Sequence, residues 1–329
     1  MGSVKDIEVL EEPTVTKLGR ARFVFSDRYS VFDWGEMPDL IPQKGASSAI
    51  LSSYFFEKCE NTGIKTHYLK SYRENVIEVK LLRVFKPEFK DGHYDYSIYQ
   101  KEKGCFLIPI EVIYRNYLPS GSSIFRRLKE GDITLRDLGL DKEPIPNQRL
   151  PKPILDTSTK LERIDRYITW DEACSISGLS NGEMEKLKNI ASIVNRLITE
   201  EFSRIGLLNE DGKIELGFDE KRHLMVVDAL GTLDECRATY EGFPVSKEIA
   251  RLYYRKTEWY KAQEEAKKED REHFKEICKA KPEPLPDKLK LLISQIYCSV
   301  CNEITKREWF KVPPLREIVK GIKEYYKMI

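Results

Sequence analysis

The chain has 329 residues, 55 of them basic and 54 acidic, which gives a formal net charge of +1, and 41% are hydrophobic. This length allows one large or two medium domains with real cores, and the balanced charge excludes a global field that would attract nucleic acid or an anionic membrane. No run approaches the ~18 apolar residues of a membrane span. The first ten residues, MGSVKDIEVL, lack an export signal, so we expect a cytoplasmic protein that binds neither nucleic acid nor membrane.

The seven cysteines are scattered along the chain without the regular spacing of a disulfide framework, so we expect reduced thiols. Cys298 and Cys301 form a Cys-x-x-Cys pair, but no second Cys or His pair lies nearby at the spacing that a zinc site needs. The surrounding pattern is helical. The sequence therefore predicts that these two thiols pack on one face of a helix.

The N-terminal third, residues 1–112, is predicted to be a β-rich lobe. Short β segments alternate with one helix near Ala46–Thr62, and GIKTHYL after that helix reads as the next strand. The polar stretch Lys86–Lys103 predicts a surface excursion between strands. The remaining strand segments in this lobe are VKDIEVL, ARFVFSD, NVIEVKLLRVF and CFLIPIEVIY.

Residues 113–329 are predicted to form an α+β lobe with a helical C-terminal extension from about residue 260. A polar connector spans Glu130–Pro153, and Ser180-Asn-Gly-Glu183 is a capping-box pattern that predicts the start of a helix. In the tail, Lys256–Lys281 is charged nearly all round and predicts a solvated helix. Prolines at 313–314 open the last helix. The predicted apolar face of the capped helix comprises Leu187, Ile190, Val194, Leu197, Ile198 and Phe202.

The segments at 213–218 and 223–228 read as a β-hairpin around a four-residue loop, Asp219–Arg222. In that register Phe218 faces His223, Glu215 faces Val226, and Lys213 lies opposite Asp228. Glu215 and Asp228 then become diagonal neighbours on one face, with Cα atoms roughly 7–8 Å apart.

Two carboxylates held on a stiff sheet repel each other unless a cation lies between them, and hard oxygen ligands suit Mg²⁺. The hairpin therefore suggests a magnesium site at Glu215 and Asp228. The alternative is a surface hairpin in which Lys213 pairs with Asp228.

Three further segments have the composition of anion-binding sites. Arg115 ends an apolar strand and runs into the Ser/Gly-rich turn 117–123, although such turns also serve as plain connections. Segment 156–160, DTSTK, again combines hydroxyl groups with an ammonium. Lys247 and Arg251 lie four residues apart at a helix start, where cations oppose the helix dipole and favour phosphate binding; a purely structural role has equal weight.

Seven segments together, in this order, resemble the motifs of the phosphoribosylaminoimidazole-succinocarboxamide synthase family, ATP-dependent ligases of purine biosynthesis. The resemblance covers about residues 2–255, and seven ordered motifs are far more specific than any one of them. The segments are FSDRYSVFD (25–33), IPQKG (41–45), PIEVIYRN (109–116), DTSTK (156–160), KIELGF (213–218), VDALGTLDECR (227–237) and SKEIAR (246–251).

The resemblance implies a two-lobed α+β fold related to ATP-grasp enzymes and protein kinases, with ATP in the cleft between the lobes. It places the connection between lobes at Pro109–Val112, with Glu111 near the adenine. The start of the chain, GSVKDI, resembles the family's glycine turn over the nucleotide phosphates. Lys5 matches a basic position there, whereas Ser3 stands where the family usually has Lys.

The activity implied by the resemblance is phosphorylation of carboxyaminoimidazole ribonucleotide by ATP, followed by attack of L-aspartate on the acyl phosphate. Catalytic roles fall to Lys213, Glu215 and Asp228, and the two carboxylates would hold Mg²⁺. Asp33 and Lys44 lie in matching motifs without an assigned partner. The implied substrate contacts are Arg115, Ser122, Asp234, Arg237, Lys247 and Arg251, and the implied ATP contacts are Val4, Lys5, Glu111 and Lys160.

Other readings remain open. The spacing from Asp228 to Asp234 is six residues rather than the family's usual five, and Leu233 replaces a usual Pro, which keeps open a ligase of the same fold with another acid or amine. A kinase-like phosphotransferase lacks the expected Asp-x-x-x-x-Asn and Asp-Phe-Gly patterns in order. A non-catalytic scaffold would have no reason to keep buried like charges. The insertion at 83–106 and the tail are expected to thicken a lobe or to build a homodimer contact.

Overall fold

A computed structural model describes residues 4–328, so the glycine turn predicted at Gly2 and Ser3 lies outside the described residues. The fold mixes helices with antiparallel sheets, which confirms the predicted α+β class. The strands are β1 (Lys5–Glu11), β2 (Gly19–Phe25), β3 (Tyr68–Arg73), β4 (Val76–Leu81), β5 (Glu88–Lys90), β6 (His93–Asp95), β7 (Leu107–Leu118), β8 (Gln148–Thr159), β9 (Leu207–Phe218), β10 (Leu224–Val227), β11 (Cys236–Tyr240) and β12 (Phe243–Pro244). The helices are α1 (Lys44–Asn61), α2 (Ser97–Lys101), α3 (Ser123–Glu130), α4 (Trp170–Ser177), α5 (Asn181–Arg204), α6 (Glu248–Tyr254), α7 (Glu258–Glu269), α8 (Phe274–Ile277), α9 (Asp287–Thr305) and α10 (Leu315–Met328).

The first sheet has the strand order β1-β2-β4-β3, and α1 packs against it. In β2 the apolar side chains of Ala21, Phe23 and Phe25 are buried and alternate with more exposed residues, as expected for a sheet with one covered face. The first sheet meets the second where Thr66 forms a β-bridge with Val226. This junction lies one residue from the end of β10, beside the candidate site.

The second sheet has the order β12-β11-β9-β7-β8, with β10 also paired to β9. Its long central strands, β7 and β9, are buried along most of their length, although both carry charged residues. The segment Pro109–Val112, expected to connect the lobes, instead lies inside β7, where Val112 pairs with Thr157 of β8 and Ile214 of β9. The chain crosses between the sheets through residues 82–106. The boundary predicted at residue 112 falls within a strand, and the division into lobes stays a prediction.

The hairpin of β9 and β10 forms, but its predicted register was wrong by one residue. Phe218 pairs with Leu224 and Glu215 with Val227. The loop between these paired residues has five residues, Asp219–His223, and within it the N–H of Asp219 donates to the carbonyl of His223 (2.9 Å). Asp228 then lies just beyond the ladder.

The capped helix begins as predicted. Ser180 and Glu183 form a reciprocal capping box at the start of α5, and α5 packs against β9. Of the predicted apolar face, Leu187, Val194, Ile198 and Phe202 are buried, and Ile190 and Leu197 pack against the same core.

The C-terminal helices differ in part from the prediction. The solvated helix expected over Lys256–Lys281 is divided into α7 and α8, and Trp259 and Ala266 of α7 are buried. Cys298 and Cys301 are buried on α9, which confirms their packing role. Prolines 313–314 precede α10 as predicted. No helix within residues 4–328 combines the length and apolar content that crossing a membrane requires.

Candidate active site

A cavity of about 550 Å³ opens between the first sheet, the second sheet and α6. Lys5 reaches it from β1, Glu215 from β9 and Arg251 from α6. The sequence therefore anticipated residues that are far apart in the chain but share one cavity. The predicted site residues that line it are Val4, Lys5, Lys160, Lys213, Glu215, Asp228, Asp234, Lys247 and Arg251.

Glu215 and Asp228 lie close enough that each affects the ionisation of the other. Burial, and then the charge of Asp228, raise the pKa of Glu215 to about 7. Burial would also raise the pKa of Asp228, but nearby ammonium groups, first that of Lys5, lower it below its usual value. Lys5 Nζ donates to Asp228, and Lys160 Nζ lies 2.6 Å from Glu215 Oε1. The carboxylates are thus neighbours as predicted, each paired with a lysine.

The register of β7 and β9 explains this concentration of charge. Glu111 lies directly opposite Glu215, so both carboxylates project from the same face of adjacent strands. Lys213 Nζ donates to Glu111 Oε1 (2.9 Å) and lies 3.4 Å from Glu235 Oε2. Lys160 Nζ is 3.2 Å from Glu111 Oε1. Glu111 lies outside the lining of the cavity, and its contacts are these two ammonium groups.

Left-handed backbone conformations concentrate at the cavity. Phe32, Asp33, Leu161 and Asp228 all line it and have φ values of 56°, 60°, 78° and 70°. Such values are uncommon for residues other than glycine and mark sites where the surrounding structure imposes the conformation. At Asp228 the left-handed turn ends β10 and brings the carboxylate towards Glu215. Sequence reasoning did not reveal this feature.

Arg115, Ser122 and Arg237 come together in a second cluster, outside the lining of the main cavity. Arg115 is 1% exposed, and its Nη2 lies 3.0 Å from Asp156 Oδ2. Its Nη1 lies 3.5 Å from both Asp211 Oδ2 and Ser122 Oγ. Arg237 Nε donates to Asp211 Oδ1 (2.7 Å). The sequence anticipated the two arginines but not the aspartates that hold them.

Arg237 also lines a neighbouring cavity of about 330 Å³. Ser120 and Gly121, from the predicted Ser/Gly-rich turn, line the same cavity together with Arg255. The turn that follows Arg115 is therefore placed beside guanidinium groups, as an anion site requires.

Lys247 is the N-cap residue of α6 as predicted, whereas Arg251 lies in the last turn of this seven-residue helix and not at its start. Arg251 Nη1 lies 3.0 Å from Glu248 Oε2. Among residues 4–328, no carboxylate lies within ion-pair distance of Lys247 Nζ. Burial, and then the charge of Arg251, lower the pKa of Lys247. An anionic ligand would offset both effects.

The structure supplies partners for two residues that the motifs left unassigned or only partly explained. Lys44, 1% exposed, forms an ion pair with Asp234. Asp234 also accepts a hydrogen bond from the hydroxyl of Tyr297 (2.9 Å). Neither contact follows from the local sequence, because the three residues lie on three distant segments.

Several lining residues were missed by the sequence analysis. Lys86 and Val84 belong to the insertion at 83–106, so part of that insertion contributes to the cavity. Glu235 and His67 line it as well. His67 Nε2 lies 3.1 Å from the carbonyl oxygen of Asp228, and burial lowers its pKa to about 3, so the neutral ring supports the turn at Asp228.

Comparison with known proteins gives this geometry a context. The sequence profile of the family described as SAICAR synthetase matches residues 2–270. A relative from Archaeoglobus fulgidus is 50% identical, over 98% of this chain and 99% of its own length. Its name as a phosphoribosylaminoimidazole-succinocarboxamide synthase is provisional. The phosphoribosylaminoimidazole-succinocarboxamide synthase of Thermoplasma acidophilum is 31% identical, over 87% of this chain and 93% of its own.

The chain therefore belongs to the SAICAR synthetase family. Solved structures of the family share its fold at lower identity. The SAICAR synthase of Saccharomyces cerevisiae, complexed with SAICAR, has a TM-score of 0.66 and 20% identity, with 94% of each chain covered. A SAICAR synthetase in complex with ADP has a TM-score of 0.59 and 23% identity, and the match covers 86% of this chain and 99% of that one. The family match ends at residue 270, before α9 and α10.

The raised pKa of Glu215 predicts a specific pH dependence of stability. Between its ordinary value of 4.5 and about 7, the folded protein binds more protons at Glu215 than the unfolded chain does, so this residue lowers stability as pH rises through that window. The measured quantity is the difference in melting temperature, Glu215→Gln minus wild type. We expect this difference to be more positive at pH 8 than at pH 5.

Glu111→Gln is the matched control for this measurement. Burial would raise the pKa of Glu111, but Lys213 and then Lys160 lower it, so its charge stabilises the folded protein above pH 4.5. We expect Glu111→Gln to lower the melting temperature at both pH values. A difference for Glu215→Gln that does not become more positive from pH 5 to pH 8 would contradict the assignment.

Proposed function

We propose that the protein is an ATP-dependent ligase that joins L-aspartate to the carboxylate of carboxyaminoimidazole ribonucleotide, with release of ADP and phosphate. The observation that carries the proposal is the composition of the main cavity, where several cations lie around the carboxylates of Glu215 and Asp228. ATP, the ribonucleotide and aspartate are all anionic, so a site for all three needs cations more than a strong nucleophile. The cations that support the proposal are Lys5, Lys160, Lys213, Lys247 and Arg251.

The adenine ring of ATP needs apolar contacts and its phosphates need cations, and the cavity has both kinds of side chain. Ile7, Leu82, Val84 and Leu107 line it together with Lys5. An adenine ring would bury its apolar faces against the aliphatic side chains, while the phosphates would extend towards the lysines. Val4 and Lys160 complete the set of residues proposed for ATP.

Glu215 and Asp228 suit a magnesium ion. Glu215 is buried and Asp228 is partly exposed, and burial and then the charge of Asp228 raise the pKa of Glu215 to about 7. Within residues 4–328, no group of three or more His, Cys, Asp or Glu side chains is placed to hold a metal ion. Mg²⁺ is commonly held by one or two carboxylates together with substrate phosphates and water, which fits a two-carboxylate site. When bound, Mg²⁺ would supply positive charge to the phosphoryl oxygens.

The proposed reaction has two steps. A carboxylate oxygen of the ribonucleotide attacks the γ-phosphorus of ATP, the bond to the leaving ADP breaks, and an acyl phosphate forms. The amine of aspartate then attacks the acyl carbon, phosphate leaves, and the nitrogen loses a proton as the amide forms. Lys213 and Lys160 would neutralise the charge on the transferred phosphoryl group.

The cluster outside the main cavity is proposed to hold the ribonucleotide phosphate. Arg115 and Arg237 present planar guanidinium groups that Asp156 and Asp211 hold in place, and Ser122 adds a hydroxyl. A rigid fork of this kind loses little freedom when it binds a phosphate.

Aspartate is proposed to bind beside α6. Its two carboxylates need cations beyond those assigned to phosphates, and Lys247 and Arg251 lie at the same cavity. Asp234 would accept a hydrogen bond from a substrate hydroxyl or amine.

Cytoplasmic location and a homodimer complete the proposal. The seven cysteines are all free thiols, as expected in a reducing compartment. Phe89 of the insertion is 49% exposed and Leu291 of the tail is 57% exposed, so both segments carry apolar side chains on which a second copy could pack. Sedimentation would measure the assembly.

The metal assignment predicts that Glu215→Ala and Asp228→Ala each lower kcat by on the order of 100-fold or more at ordinary Mg²⁺ concentrations. Loss of Glu215 relieves repulsion, whereas loss of Asp228 leaves Lys5 unpaired, so only the second should also lower stability. Glu201→Ala is the control, because Glu201 is an equally buried carboxylate outside the cavity. Unchanged turnover in both site variants would refute the assignment.

The phosphate assignment predicts that Arg115→Lys or Arg237→Lys is harmful although the charge is kept, because the planar fork is lost. We expect a loss of about 1–3 kcal/mol in transition-state binding, measured as kcat/KM for the ribonucleotide, with little change for ATP. Arg222→Lys is the control, since Arg222 forms a similar fork with Glu183 at the hairpin loop. A loss of kcat/KM for ATP alone would show that these arginines bind ATP and not the ribonucleotide.

The identity of the amine tests the proposal as a whole. We expect ADP release to require the imidazole ribonucleotide and phosphate release to require L-aspartate, in an assay that compares candidate amino acids. Lys247→Ala and Arg251→Ala should raise the KM for aspartate or for the ribonucleotide, and titration of each ligand separately identifies which. Lys261→Ala, an exposed lysine on α7, should leave both KM values unchanged. Equal turnover with alanine, or with no amine, would favour a ligase of the same fold with another acid or amine.

A further inference from the structure

Helix α9 begins at Asp287, beyond the residues that the family's sequence profile matches, yet it contacts a residue that lines the main cavity. The hydroxyl of Tyr297 on α9 donates to Asp234 Oδ1 at 2.9 Å, and Asp234 lines the cavity. Tyr297 is 1% exposed, so this hydroxyl has no access to bulk water that could replace the contact.

The two oxygens of Asp234 are held by two different elements. Lys44, the first residue of α1, pairs with Oδ2, and Tyr297 donates to Oδ1. Lys44 Nζ also lies 5.7 Å from the centre of the Tyr297 ring, within the range of a cation–π contact. Burial would raise the pKa of Asp234, but Lys44, Lys247 and the Tyr297 hydroxyl lower it, so the carboxylate stays ionised.

A second contact from α9 supports the same geometry. Ser294, one helical turn before Tyr297, donates through Oγ to the carbonyl of Pro42 (2.6 Å). Pro42 precedes Lys44 by two residues. One face of α9 therefore holds both the segment that carries the lysine and the carboxylate with which the lysine pairs.

We propose that Tyr297 is a positioning residue of the active site. Its hydroxyl keeps the Asp234 carboxylate in the orientation that faces the cavity, where the remaining lone pairs accept a hydrogen bond from the ribonucleotide or from aspartate. Helix α9 is then a required part of the catalytic unit, which goes beyond the expectation that the tail thickens a lobe or builds a dimer contact. The inference rests on the proposed ligase function.

The test is Tyr297→Phe, which removes one oxygen atom and leaves the ring. The chain offers a matched control in Tyr54→Phe, because the Tyr54 hydroxyl donates to Glu201 Oε2 (2.8 Å) while Lys58 pairs with Oε1 (2.6 Å). This is a similar combination of tyrosine, carboxylate and lysine, with Arg204 as a further partner of Oε2, and Glu201 lies outside the lining of the cavity. Both variants lose a hydrogen bond to a charged group.

We expect Tyr297→Phe to lower kcat/KM for the ribonucleotide or for aspartate about ten-fold, the usual effect of one hydrogen bond to a charged group. The KM for ATP should not change, and Tyr54→Phe should keep full activity with a similar fall in melting temperature. A general loss of structure would affect all three substrates.

The outcomes separate the inference from the function on which it rests. If the wild type releases no ADP with ATP, the ribonucleotide and aspartate, the proposed function fails and the inference fails with it. If the wild type is active and Tyr297→Phe matches it, only the inference is overturned. An equal loss of activity in Tyr297→Phe and Tyr54→Phe also overturns it, because the effect would then be one of stability alone.

Discussion

The pairing of β7 with β9 is the constraint on which the active site depends. It places Glu111 opposite Glu215 on one face of the sheet, an arrangement that is unfavourable for like charges unless cations lie close by. Lys160 and Lys213 each contact both carboxylates. The cations proposed to bind phosphates are therefore already held in position by the protein. A nucleotide with its metal ion would exchange one set of charge pairs for another, without a large cost of unpaired buried charge.

The carboxylates of the site also pair with residues from distant parts of the chain. Lys5, near the start of the chain, pairs with Asp228, and Tyr297, near its end, holds Asp234. The left-handed turn at Asp228 is supported by the ion pair with Lys5 and by His67. Because buried charges are stable only with complete sets of partners, the first sheet, the second sheet and the C-terminal helices must all be in place before the site exists.

Much of the fold and most of the candidate site could be predicted from the sequence. The capping box at Ser180 and Glu183 and the apolar periodicity behind it gave the start and buried face of α5, because both signals act within one or two helical turns. The hairpin was located correctly, but its register was not. A four-residue and a five-residue loop are both compatible with the sequence, and the folded hairpin has the five-residue loop, with a hydrogen bond between Asp219 and His223 inside it.

By itself, the sequence determined the family, the α+β class and the residue types that the chemistry requires, because ordered motifs and local periodicity are properties of short segments. Only the tertiary structure decided which charges meet. The partners of Arg115 and Arg237 proved to be Asp156 and Asp211, and the partner of Lys44 proved to be Asp234. Ion pairs between segments that are distant in sequence leave no local pattern, and their energy depends on burial and distance, which exist only once the chain has folded.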